Sequence, residues 1–375
     1  MIDRPAIAIA AGGTAGHVNP ALALAEELRR RGATVRFFGE RRRLEGRLVP
    51  QAGFDLFPIH MSGFDRQRPW TLASALARLR RERRRICKAF RDDPMMRPDV
   101  AMGFGAYVEL PLLRAALDLG IPVALHEQNS IPGLANKRLA SRAGLIAVSL
   151  PSAQSALERA GANSSAIRLT GNPVRASVLS GDRSRGRAAA GAQADDTVLL
   201  VFGGSLGAHH LNEAIARLKG TLLGIEGVRI VHATGAADYE ATSALLDLSE
   251  DERQRYRVTS YIDDMGDMLA AADVVLSRAG ASSIAEIAAA AVPSILVPYP
   301  LATRDHQTTN ARYLVDAGAA IMCADDEIDS EGFASRLIGL LGDSDLRRRM
   351  HLRGLGLGQA DAAGRLADAV LALVV

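Results

Sequence analysis

Apolar positions along this chain fall into short uninterrupted runs. Longer segments separate them, in which apolar residues recur every three or four positions. The runs cover residues 6–11, 34–39, 99–102, 122–126 and 145–149 in the first half, and 197–202, 228–232, 273–277 and 294–298 in the second. Residues 21–31 and 212–219 show the helical spacing found between them. Short runs that are apolar throughout predict strands buried on both faces, as parallel strands are. Their alternation with helical segments predicts an α/β fold whose sheets are covered by helices on both sides.

One pattern occurs twice. Gly12-Gly13-Thr14-Ala15-Gly16 follows the first run and opens a helix, and Gly203-Gly204-Ser205-Leu206-Gly207 does the same 191 residues later. Each reads as the first strand–loop–helix of its own domain. The expected architecture is therefore two doubly wound Rossmann-like domains facing a central cleft. Residues 1–174 form the first, 175–350 the second, and a helical segment at 351–375 packs back on the first. Residues 181–196 are polar and rich in Gly and Ala, and read as a loosely ordered connection.

The 375 residues are 48% hydrophobic and 23% charged, the balance of a folded globular chain rather than a disordered or collagenous one. The two cysteines, Cys87 and Cys323, fit no metal-ligand spacing and predict free thiols in a reducing compartment. The run at 6–11 is too short for a signal-peptide core, and no stretch reaches the ~20 apolar residues of a membrane span. A cytoplasmic chain is expected. Its charge is unevenly sorted: residues 1–176 hold 27 Lys and Arg against 15 Asp and Glu, while residues 177–375 hold 18 against 27. A basic first half predicts an anionic partner for it.

The candidate chemistry lies just after strands, where doubly wound sheets bind ligands. In 12–17, glycines allow close backbone approach and a helix N-terminus favours an anion. Thr14 is placed to cap that helix. His17 reads either as a buried structural histidine or as a base kept neutral by the helix end. Residues 277–286 read two ways as well: a Ser283–Glu286 capping box, or a diphosphate site at the helix N-terminus with Glu286 on ribose hydroxyls. His126-Glu127-Gln128-Asn129 and Gly103-Phe104-Gly105-Ala106-Tyr107 also sit at strand ends, and 304–310 offers polar groups suited to sugar hydroxyls. No zinc spacing, nucleophile elbow or Walker A loop occurs, and no metal or cofactor is expected. Neither glycine loop matches the NAD fingerprint, though Glu40 follows the second strand near where a ribose-binding acid would sit, which leaves a weakened dinucleotide reading open.

Taken together and in order, Gly12 to His17, His126 to Asn129, Gly171-Asn172-Pro173-Val174-Arg175, Gly203 to Ala208, Tyr261-Ile262-Asp263-Asp264-Met265 and Arg278-Ala279-Gly280-Ala281 resemble a known family. It is the undecaprenyl-diphospho-muramoylpentapeptide β-N-acetylglucosaminyltransferases, the bacterial enzymes that make lipid II. The resemblance implies a two-domain glycosyltransferase of the B type. Such an enzyme moves N-acetylglucosamine, with inversion, from UDP-N-acetylglucosamine to the 4-hydroxyl of the muramoyl sugar of lipid I. It further implies that Thr14, Ala15 and Gly16 line the donor sugar and diphosphate, and that Asn129 contacts the sugar. Arg175 and Ser205 would hold phosphate or nucleotide, and Ile262 the uracil. Ala281, Ser282, Ser283, Ile284, Ala285 and Glu286 would hold phosphates and ribose, with Gln307 on the sugar hydroxyls. Ala15 stands where many relatives carry a third glycine. His17 is the candidate base, with His126 and Glu127 as rivals.

The lipid acceptor gives the basic half a partner. Trp70, Leu72, Leu76 and Leu79, among Arg78, Arg80, Arg81, Arg83, Arg84 and Arg85, read either as an apolar tip ringed by cations for an anionic bilayer, or as a core-facing stripe with a solvated opposite face. The expected location is peripheral, on the cytoplasmic face of the inner membrane. No nucleic-acid partner is expected, since the arginine run has almost no interleaved aromatics. A sugar-nucleotide epimerase and a non-catalytic sugar-nucleotide-binding scaffold remain the alternative readings of the same pattern.

Overall fold

The structure is a computed structural model that describes residues 4–61, 70–204 and 208–374. It divides into two compact units: Met1–Pro173 with Asp361–Val375, and Val174–Ala360.

In the first unit the strands are β1 (Ala6–Ala10), β2 (Thr34–Gly39), β3 (Asp55–Pro58), β4 (Val100–Gly103), β5 (Val123–Glu127), β6 (Leu145–Val148) and β7 (Ile167–Leu169). They form one sheet in the order β3-β2-β1-β4-β5-β6-β7, with every pairing parallel. Alternate side chains of β1 serve opposite faces. Ala8 and Ala10 pack into one core and Ile7 and Ile9 into the other, so no position of the strand is left for a polar residue.

In the second unit they are β8 (Thr197–Phe202), β9 (Val228–Ala233), β10 (Tyr256–Thr259), β11 (Val274–Ser277), β12 (Ser294–Leu296) and β13 (Ala320–Met322). The order is β10-β9-β8-β11-β12-β13, again all parallel. Val198 and Leu200 pack on one face of β8, Leu199 and Val201 on the other.

Both sheets run outward in one direction from their first strand and then restart on its other side. The reversal lies between β1 and β4 in one unit and between β8 and β11 in the other. Loops leaving neighbouring strands at such a point diverge, and a crevice opens at the strands' carboxyl ends. Those loops are the glycine-rich segments 12–14 and 103–107 in the first unit, and 203–204 and 278–280 in the second.

Four strands escape the apolar-run criterion: β3, β7, β10 and β13. All four are sheet edges. They are three or four residues long and only partly buried, so burial has not made them apolar throughout. The connection at 181–196 also differs from expectation. It holds a helix, Arg183–Ala189, begun by Asp182, whose side chain accepts from the Arg185 N–H at 2.8 Å. That helix lies against Met265–Ala271 at backbone contact, where a Cβ on Gly186 would overlap the Asp267 carbonyl. Packing by backbone proximity leaves no apolar periodicity to read.

The helix Ala362–Leu371 lies along Ala15–Arg30. Leu366, Ala367 and Val370 enter the core beneath Leu22 and Ala25. Arg31 donates to the Gly364 carbonyl at 3.1 Å and pairs with Asp368, while Arg365 donates to the Thr170 carbonyl at 2.9 Å. Ala362–Leu371 thus braces the helix that carries His17.

Candidate active site

The first glycine loop is shaped by a carboxylate that the sequence pattern does not single out. Glu45 is 1% exposed. Its Oε2 accepts from the Gly13 N–H and its Oε1 from the Glu40 N–H, both at 3.1 Å. A Cβ on Gly12 would overlap this carboxyl, and Gly13 holds φ of +88°, so both glycines are required. An amide expected to face an anion is therefore already committed to one. The loop presents instead the start of Ala15–Arg30, with Thr14, Ala15, Gly16 and His17 all partly exposed. Thr14 is the N-cap residue, but its side chain caps no backbone N–H. Its Oγ1 lies 3.2 Å from His17 Nδ1.

Across the switch point, β4 ends in the turn Phe104-Gly105-Ala106. The Phe104 N–H donates to the Ala10 carbonyl at 2.9 Å, and the Phe104 carbonyl accepts from Gln128 Nε2 at 2.9 Å. The Gly105 N–H donates to Glu109 Oε2 at 2.5 Å. His17 rests on this turn: a Cβ on Gly105 would stand 3.1 Å from its Cδ2 and 3.2 Å from its Nε2. Glu109 opens the helix Glu109–Asp118 and is wholly buried. Burial pushes its carboxyl up to about 8, with Glu127 adding to the rise and the Gly105 N–H opposing it.

His126 and Glu127 are both buried. His126 is 0% exposed, and its Nε2 is 3.1 Å from the Gly171 carbonyl, which assigns that nitrogen the proton. Burial holds it down at about 4, so the ring is neutral. Glu127 spends Oε1 on Asn129 (N–H, 3.1 Å) and Oε2 on the Gly133 N–H at 2.9 Å and Asn136 Nδ2 at 2.8 Å. Burial still raises its carboxyl above the usual range. Glu127 thus braces the loop that carries Asn129, while the His126 ring meets the Gly171 carbonyl. A brace and a base look alike in sequence when both stand at the end of a strand.

In the second unit the segment after β11 turns at Gly280 into the helix Ala281–Ala290. Gly280, not Ser283, is the N-cap, so the Ser283–Glu286 capping box is absent. Ser282 and Ser283 lie in the first turn, partly exposed with Ala281 and Ala285. Ile284 is 3% exposed and packs inward, so any ligand contact at that position falls to its backbone. Glu286 is partly exposed. Burial raises its carboxyl to about 7, against the lowering pull of the nearby Arg175 guanidinium. Ile262, just beyond β10, is half-buried against the same core as Ile284. Gln307 Oε1 accepts from the Ala279 N–H at 3.2 Å and the Tyr299 N–H at 2.9 Å, tying the loops after β11 and β12 together. Its Nε2 is the remaining polar end. Ser205 lies outside the described residues.

On the helix Thr71–Asp92, Trp70, Leu72 and Leu76 are exposed, Trp70 by 72%. Leu79 is not part of that tip. It is buried with Ile86, Cys87 and Phe90 in the core: it shares a helical stripe with Leu72 and Leu76 but lies farther along the helix, where the core covers that stripe. Arg80 and Arg84 are exposed, and with Arg83, Lys88 and Arg91 they line a hollow of about 560 Å³.

Residues 7–148 match the glycosyltransferase family 28 N-terminal domain, and residues 198–353 its C-terminal domain. A Salinibacter ruber protein named UDP-N-acetylglucosamine--N-acetylmuramyl-(pentapeptide) pyrophosphoryl-undecaprenol N-acetylglucosamine transferase is 40% identical, over 98% of this chain and 97% of its own. The protein of the same name from Nitratidesulfovibrio vulgaris strain Hildenborough is 37% identical over 98% and 97%. The crystal structure of MurG from Acinetobacter baumannii aligns with TM-score 0.73 at 29% identity, covering 98% of this chain and 99% of that one. A crystal structure of UDP-N-acetylglucosamine 2-epimerase, with TM-score 0.71 over 99% and 96% of the chains but 16% identity, shares the fold alone. Both domain models match in order on two Rossmann-like units, the GT-B arrangement, and the relatives align along nearly the whole length: the chain belongs to glycosyltransferase family 28.

Proposed function

We propose that the chain transfers N-acetylglucosamine from UDP-N-acetylglucosamine to the 4-hydroxyl of the muramoyl sugar of lipid I. The product is lipid II, used to build peptidoglycan. Relatives named for this transfer align end to end with the chain, and the observation within the fold that carries the reading is the start of Ala281–Ala290. A helix N-terminus begun by a glycine and small residues, with a carboxyl one turn inside, matches a nucleoside diphosphate. The helix end faces the phosphates and Glu286 accepts from the ribose hydroxyls. Ala281, Ser282, Ser283 and Ala285 line that end, Arg175 adds positive charge, Ile262 offers an apolar face to uracil, and Gln307 Nε2 reaches the sugar. Ser205 belongs to this set through the family motif.

Inverting transfer needs a base behind the acceptor hydroxyl and stabilisation of the departing UDP. The helix end and Arg175 provide the second. His17 provides the first. With Nδ1–H donating to Thr14 Oγ1, the lone pair lies on Nε2, the nitrogen on the Gly105 side of the ring. Asn129, held by Glu127, contacts the sugar, while Thr14, Ala15 and Gly16 line the donor sugar and diphosphate. The acceptor's lipid places the enzyme at the cytoplasmic face of the inner membrane. Trp70, Leu72 and Leu76 enter the interface and Arg80 and Arg84 meet anionic headgroups. Among the described residues no helix is long and apolar enough to cross a membrane.

Three measurements test this reading. Label from UDP-N-acetylglucosamine should move onto a lipid I analogue, and His17→Ala should slow transfer by about 10²-fold or more. Epimerised donor with no labelled lipid would contradict the reading. Donor affinity should fall as pH drops through 7, because protonation of Glu286 removes an acceptor for the ribose. Calorimetry should show wild-type affinity about tenfold weaker at pH 6 than at pH 8, and Glu286→Gln insensitive over that range. Binding to liposomes should require anionic lipid, weaken with salt and decline in Trp70→Ala/Leu76→Ala, whereas equal binding to neutral vesicles would remove the membrane assignment.

A further inference from the structure

A buried carboxyl in the first unit has no part in the chemistry above. Glu109 begins a helix, where an acidic residue ordinarily faces solvent and favours the helix dipole. Here it turns inward and is 0% exposed. One oxygen, Oε2, accepts from the Gly105 N–H at 2.5 Å, and the other, Oε1, is buried with no hydrogen-bond partner. The carboxyl sits against Gly103, where a Cβ would overlap it. Burial of an acid in this way costs free energy, and its main polar contact is with the Phe104–Ala106 turn.

That turn needs holding. Gly105 has φ of +88° and Ala106 φ of +64°. The left-handed conformation is strained for a residue with a Cβ, as at Ala106. Three hydrogen bonds oppose the strain: Phe104 N–H to Ala10, Gln128 to the Phe104 carbonyl, and Gly105 N–H to Glu109. The last is the one at the residue on which the His17 ring lies, with 3.1 Å and 3.2 Å left between a Cβ there and ring atoms Cδ2 and Nε2. Thr14 holds the opposite side of the ring at Nδ1. The imidazole is thus set between a hydroxyl on its own helix and a turn fixed by Glu109.

We propose that Glu109 is a positioning residue for His17: it fixes the Phe104–Ala106 turn as the floor against which the imidazole is oriented. The proposal rests on the reading of His17 as the base, and its tests separate the two. Near neutral pH the carboxyl is largely protonated, since burial raises it to about 8. An uncharged side chain with an acceptor oxygen does the same work. Glu109→Gln should therefore preserve the turn, and Glu109→Ala should release it.

Transfer kinetics and histidine NMR on the full-length protein decide the matter. Glu109→Ala should lower kcat by about tenfold or more with KM for UDP-N-acetylglucosamine unchanged within about twofold, and Glu109→Gln should restore kcat to within about threefold of wild type. In a His17→Ala background, Glu109→Ala should cost nothing further, because the group it positions is gone. Equal losses in both backgrounds, or an undiminished kcat in Glu109→Ala, would overturn the proposal. The His17 ring signals read the coupling without reference to activity. They should shift in Glu109→Ala and stay near wild type in Glu109→Gln. Unshifted signals in Glu109→Ala refute the coupling even if His17→Ala is inactive. Shifted signals with a fully active His17→Ala uphold the coupling and refute the base.

Discussion

Everything in this molecule depends on where a parallel sheet reverses its strand order. Buried on both faces, the strands at the switch points, β1, β4, β8 and β11, are apolar except at their ends, so the polar groups around them come mainly from the loops. At β1/β4 and β8/β11 the strand order reverses, and the loops on neighbouring strands part to leave a crevice at the strands' carboxyl ends. Thr14 and His17 sit at one of these points, and Ala281 to Glu286 at the other. The two units solve the same geometric problem for different groups. The second offers a helix begun by a glycine and small residues. The first has one loop amide already held by Glu45 and offers a hydroxyl and an imidazole.

Buried carboxyls recur as fasteners in the first unit. Glu45, Glu109 and Glu127 are each at most 2% exposed, and each accepts from the backbone of a loop at the carboxyl edge of the sheet. A loop rich in glycine is free to approach a ligand and equally free to wander. A buried acceptor fixes it at a desolvation cost. For Glu109 and Glu127 that cost appears as carboxyls raised above their ordinary range. The arrangement favours rigid placement over stability, as expected where a reacting group must be held in one orientation.

The sequence makes legible whatever is local. A strand, a glycine pair and a helix follow one another within about fifteen residues, so both switch-point loops stand out from residue order alone. Edge strands such as β7 and β13 do not, because half of each faces outward and carries no burial signal. The helix Arg183–Ala189 is hidden because it packs through Gly186 rather than through apolar side chains. Site roles are the least legible. His126 and Glu127 stand at a strand end like active groups, yet both are buried, and Glu109 reads as an ordinary first-turn acid. Leu79 shows the same limit on the surface: it shares a helical stripe with Leu72 and Leu76, yet of the three only Leu79 lies on the part of the helix that the core covers. These distinctions depend on which way a side chain turns in three dimensions.

The most direct measurement of the central claim is a crystal structure of this protein with UDP bound. The account places the diphosphate at the start of Ala281–Ala290, the ribose hydroxyls on the Glu286 carboxylate and the uracil against Ile262. UDP lodged at the Gly12–Gly13 loop, or with its ribose away from Glu286, would contradict it.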